Sequence, residues 1–138
     1  MQLFQFAGHA IETNSGTMLL VANSRQPPED SNTFAVDQVL MSHMNLIVLS
    51  ACSTGRQWNV NSGLFAALFF HSHIPQVIAS RWQIDSHAAS AFMNSFYDSL
   101  LVGRLPVDSL RYAEHFQRQQ QVTSHPYYWS AFMVIGRD

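Results

Sequence analysis

The period of the apolar positions changes several times along the chain, and each change marks an element. "MQLFQFAGHA" sets Leu3, Phe4, Phe6 and Ala7 in near alternation, which suits a short strand ending near Gly8. "ETNSG" reads as a turn, and "TMLLVA" (17–22) as a second strand, a hairpin partner or sheet extension. "NSRQPPEDSN" (23–32) is loop-like. Thr33 is placed to cap a helix in which Val36, Val39, Leu40 and His43 share a face. "NLIVLSA" (45–51) lacks alternation, as expected of a strand covered on both faces of a parallel sheet.

"SGLFAALFFHSH" (62–73) reads as a deeply packed helix, apolar on nearly every side and ended by Pro75. "QVIASRW" (76–82) is a further strand. Asp85 or Ser86 caps a helix carrying Ala89, Phe92, Met93, Phe96, Leu100 and Leu101 at spacings of three and four, closed by Gly103. Pro106 opens another helix, to about Gln121, and "YYWSAFMVIG" (127–136) is a final strand. Strands alternating with helices predict an α/β layered fold with a mostly parallel sheet.

Composition narrows the class. At 138 residues the chain is expected to form one domain, 1–138, with a real core. Charged residues make up 12% and hydrophobic ones 47%. So little charge predicts that part of the apolar surface meets another domain or chain. There is no lysine, only seven scattered arginines, and the net charge is −2, which leaves no footprint for nucleic-acid binding by counterion release. The single Cys excludes an internal disulfide and any multi-cysteine zinc site. With no apolar run long enough for a membrane span and no signal-like start, a soluble, reducing, cytoplasmic protein is the expectation.

Candidate chemistry sits at strand ends, because ligands of open α/β sheets bind beyond the carboxyl ends of the strands. His9 follows the first predicted strand and Cys52 follows "LIVLSA". If the two strands are parallel neighbours, about 4.8 Å apart, imidazole and thiol share a rim, as thiol catalysis requires. A lone Cys after a greasy run is also a common core residue, and a lone His is commonly structural. The following "STG" (53–55) leaves room for a substrate and exposes backbone N–H groups.

In order along the chain, "FAGHA", "LIVLSACSTG", "GLFAALFFHSHIPQVIASRWQID", "FYDSLLVGRLPVDSLRYA" and "HPYYWSAFMVIG" resemble the blocks of CHAT domains, from Phe6 to Gly136. These are caspase-like domains of the clan that also contains separases and gingipains. The resemblance implies a caspase-like three-layer α/β/α fold and a cysteine endopeptidase with a His–Cys dyad and an acyl-enzyme intermediate. It makes His9 the base and then the acid, Cys52 the nucleophile, and the backbone N–H groups of Ala10 and Cys52 the oxyanion hole, needing no cofactor and no metal. It also implies a protein or peptide substrate and a regulatory partner domain such as helical repeats. Ala10 stands where the clan usually has Gly, and family domains ordinarily carry two more strands before the histidine strand. The chain therefore reads as N-terminally truncated, a C-terminal portion of the domain, with an exposed edge on its first strand that "TMLLVA" covers in part. The rival reading is a catalytically inactive interaction or scaffold module; a third is a hydrolase of non-peptide acyl groups.

Secondary candidates line the same rim. Asp85 either walls a substrate pocket, favouring a basic side chain, or simply caps its helix. Arg81 and Trp82 bind peptide or pack. Arg56 approaches the thiolate or is solvated. His71 and His73, two apart on the predicted helix and without acidic partners, argue against a metal site.

Overall fold

The computed structural model describes residues 1–13, 16–20, 33–35, 44–52, 75–82 and 84–136. Six strands and three helices are described: β1 (Leu3–Thr13), β2 (Gly16–Leu20), β3 (Thr33–Ala35), β4 (Leu46–Cys52), β5 (Gln76–Ser80), α1 (Ser86–Leu101), α2 (Pro106–Gln119), α3 (Pro126–Trp129) and β6 (Phe132–Gly136). The sheet order is β3-β2-β1-β4-β5-β6. Its centre, β1-β4-β5, is parallel. The strands added on either side, β2 with β3 and β6, run antiparallel. This is the α/β fold with a parallel sheet that the sequence predicts.

β4 earns its central place by composition. Leu46, Ile47, Val48 and Leu49 are all buried, as are Val77, Ile78 and Ala79 of β5. Successive side chains alternate faces, so a run of consecutive buried positions is covered on both sides. On one side Leu46, Val48, Ile78 and Phe132 meet Ala88, Phe92, Met93, Phe96 and Leu100 of α1. The rings of Phe92 and Phe132 stack with centroids 4.6 Å apart. The core of the described molecule lies between this sheet face and α1. Its start is bracketed by Gln2 and Asn45: the Asn45 N–H donates to the Gln2 carbonyl (2.9 Å), and the Gln2 N–H donates to Asn45 Oδ1 (3.0 Å).

α1 begins where its sequence says it should. Asp85 has extended backbone and its Oδ1 accepts from the Ala88 N–H at 2.9 Å. Gly103, at φ 90°, follows the helix in the left-handed conformation that glycine adopts without a Cβ clash. Pro106 then occupies the first turn of α2, where a missing N–H costs nothing.

Three expectations are corrected. β1 does not stop near Gly8 but continues to Thr13, because β2 pairs with its far half from His9↔Leu20 to Thr13↔Gly16. Thr33 caps no helix: Thr33–Ala35 is a strand on Met18–Leu20 of β2, and the remainder of that predicted helix lies outside the described residues. The final strand starts at Phe132, since Pro126 opens a helical turn over Pro126–Trp129 capped by His125, whose Nδ1 accepts from the Tyr127 N–H at 3.2 Å. The predicted helix 62–73, with His71 and His73, also lies outside the described residues.

Candidate active site at the carboxyl rim of the sheet

The ladder between β1 and β4 runs unbroken from Leu3↔Leu46 to His9↔Cys52. Its last rung joins the two reactive residues singled out from sequence, as register partners on neighbouring parallel strands. Such partners belong to neighbouring strands about 4.8 Å apart.

Ala10 follows His9 in β1, paired with Leu19 of β2. Extended strand backbone suits alanine as well as glycine, so the departure from Gly carries no left-handed strain here. The edge of β1 is covered by β2, as "TMLLVA" suggests.

β5 ends at the same rim and delivers the secondary candidates. Arg81 is exposed, with its backbone N–H donating to the Ala131 carbonyl at 2.6 Å. The next residue is anchored: Trp82 Nε1 donates to the Tyr127 carbonyl at 2.9 Å, and the two rings stack with centroids 6.1 Å apart. Asp85, also exposed, stands at the start of α1 on this rim and is engaged as its cap. Arg56 lies outside the described residues.

Sequence reasoning passed over a supporting layer. Glu114 of α2 is half-buried; burial pushes its carboxyl above the ordinary range, while Arg118, Arg81 and Arg111 pull it back down. The Arg118 guanidinium lies 3.7 Å from the centroid of Trp129, whose Nε1 donates to the Ser124 carbonyl at 3.1 Å. Of these groups, Glu114 is the one that senses Arg81 directly. The His-Pro pair at 125–126 is the one signal that could have revealed α3, since Pro favours the first helical position. Among the described residues no three His, Cys, Asp or Glu side chains gather to hold a metal ion. No described helix is long and apolar enough to cross a membrane.

Comparison with known proteins agrees with this architecture. Residues 2–137 match the CHAT domain. Over 97 residues, 69% of the chain, the sequence is 29% identical to human tetratricopeptide repeat protein 28 and 30% identical to its mouse counterpart. The chain spans only about 4% of the length of either relative. With all but its terminal residues matched, this chain belongs to the CHAT domain family, a caspase-like family.

Proposed function

We propose that the chain, 1–138, is a CHAT-family cysteine endopeptidase domain working through His9 and Cys52. The observation that carries this reading is the shared last rung of the β1–β4 ladder. His9 takes the proton from the Cys52 thiol, and the thiolate attacks the peptide carbonyl. The N–H groups of Ala10 and Cys52 stabilise the tetrahedral oxyanion, each such donor contributing about 3 kcal/mol. His9 returns the proton to the amine as the C–N bond breaks, then activates the water that hydrolyses the thioester. Arg81, Asp85 and Arg56 contribute to peptide binding, with Asp85 favouring a basic side chain. The thiol must stay reduced, which fits a cytoplasmic setting. A helical-repeat domain is the regulatory partner, supported by the tetratricopeptide repeat proteins among the relatives.

The experiment is timed alkylation of Cys52 at neutral pH, followed by mass spectrometry, beside turnover of a peptide library. The expected result is alkylation at least tenfold faster than free cysteine, slowed by His9→Ala, with cleavage abolished by Cys52→Ala. Equal alkylation rates and no cleavage would refute catalysis. The second reading, an inactive interaction module, then leads, favoured by the exposed apolar residues where α1 meets α2.

A further inference from the structure

α1 and α2 meet at a corner where several apolar side chains stand exposed. Leu101, Val102 and Leu105 are 83%, 74% and 64% exposed, and Tyr112 and Phe116 continue the patch at 39% and 41%. Leu105, Tyr112 and Phe116 stand seven and four residues apart, the spacing that keeps side chains on one stripe of a helix. The Tyr112 and Phe116 rings stack along it, with centroids 6.4 Å apart. Patches of this kind, in a chain with so little surface charge, mark interaction sites.

The patch also carries a charge. The Arg104 guanidinium lies 5.1 Å from the Tyr112 ring centroid, and its Nη1 donates to Ser99 Oγ at 3.4 Å. Arg111 has Asp108 at 3.8 Å, whereas Arg104 makes no salt bridge among the described residues. A partner suited to this corner is thus apolar along one helical stripe and presents a carboxylate beside it.

Position matters as much as composition. α1 starts at the carboxyl rim, and 16 residues carry its end roughly 24 Å away. Leu100, one residue before the corner, shares a cluster with Leu3 and Leu46, which open β1 and β4. The corner therefore lies at the amino end of the parallel strands, away from the His9–Cys52 rung, so a partner seated there leaves the rim open.

We propose that the α1–α2 corner, Leu101 to Leu105 with Tyr112 and Phe116, is the seat of an acidic amphipathic helix of a tetratricopeptide-type repeat array. This rests on the helical-repeat partner put forward above, and it adds the surface and the chemistry of contact. Two observations choose this occupant. The relatives are tetratricopeptide repeat proteins in which a segment like this one fills about 4% of the length. In addition, Arg104, without a salt bridge among the described residues, suits a partner that brings a carboxylate.

The test is titration calorimetry of the full chain against the purified repeat region of human tetratricopeptide repeat protein 28, for the wild type, the Leu105→Glu/Phe116→Glu double variant and Arg104→Glu. The expected result is binding that weakens at least tenfold in both variants, whose thermal midpoints stay near wild type because the altered side chains are exposed. Binding that both variants retain would overturn the corner as the docking face and leave the partner reading standing. No binding by the wild type would overturn the partner reading itself. Dimers seen by sedimentation and lost in the double variant would make the occupant a second copy and overturn the proposal.

Discussion

Asp85 is assigned two tasks, helix cap and acidic pocket wall, and two substitutions separate them. As a cap, its Oδ1 accepts from the Ala88 N–H at 2.9 Å, and no other acidic residue lies in the first turn of α1. Asp85→Ala removes both the hydrogen bond, worth about 1 kcal/mol, and the charge facing the helix dipole, worth about 0.5 kcal/mol. Asp85→Asn keeps an acceptor oxygen and loses only the charge. In a domain of this size 1 kcal/mol moves the midpoint by roughly 4 °C. Thermal unfolding is therefore expected to fall by about 6 °C for Ala and about 2 °C for Asn. If the carboxylate also selects substrate, Asn loses the preference for a basic side chain before the cut while remaining folded, read by comparing kcat/KM for paired basic and neutral peptides. Equal destabilisation by both substitutions, or none by Ala, would refute the capping argument. Unchanged selectivity in the Asn variant would remove Asp85 from recognition and leave it a cap alone.

Other outcomes follow from buried polar groups and close contacts. The Tyr97 hydroxyl is buried without a hydrogen-bond partner among the described residues, and burial pushes its ionisation up from 10.0 to about 12. Tyr97→Phe is expected to stabilise the fold by about 1 kcal/mol in urea unfolding. Because the unfolded phenol releases its proton first, wild-type stability should also fall from pH 10 toward 12 in a way the Phe variant lacks; a destabilised Phe variant would contradict this. The folded form of Glu114 holds its proton more tightly than the unfolded chain does, so its contribution is present at low pH and lost as pH rises through the raised value. Glu114→Gln should therefore unfold at higher urea than wild type at pH 7, with the gap closing toward pH 4; no change in the gap with pH would refute it. A Cβ on Gly136 would overlap the Pro75 carbonyl oxygen and lie 2.8 Å from Gln76 Cα, so Gly136→Ala should cost about 2 kcal/mol, and wild-type stability would refute the contact.

How far sequence carried the structure depended on what decides each element. α1 was legible because its signals are local: an acidic cap, apolar residues at spacings of three and four, and a glycine in left-handed backbone at its end. β4 was legible because a continuous apolar run can be satisfied only by cover on both faces. β3 was misread because Thr33 has the chemistry of a helix cap, while the pairing of Thr33–Ala35 with Met18–Leu20 is a long-range fact. Gly8 looked like a strand end, yet it is a rung opposite Ala51 of β4, and the pairing with β2 that begins at His9 carries the strand on to Thr13. "YYW" has the aromatic composition of a strand, but Pro126 and the His125 cap turn it into a helix. The candidate site was legible as residue types, but only Cys52 ends its strand: His9, expected after the end of β1, lies within it because β1 continues to Thr13. The neighbours of Arg81 and Trp82 on α2 and α3, Glu114 and Tyr127, were not legible, because they reach those residues only after the two helices have folded back.

Register is the property on which the proposed dyad depends most. A shift of β1 by one residue against β4 would set Cys52 opposite Gly8 or Ala10 and move His9 to the other face of the sheet. What opposes that shift lies at the far end of the strands. Leu3, Leu46 and Val48 share the α1 cluster, and a slip would turn Leu3 away from it while bringing Gln2 or Phe4 to its place. The Gln2–Asn45 bracket adds directional hydrogen bonds that a slipped strand would break. Six residues of strand, roughly 20 Å, separate this anchor from the rung it aligns. The residues that would bring a base to its thiol are thus an ordinary leucine cluster and an amide bracket with no chemistry of their own, acting through the rigidity of a doubly covered strand.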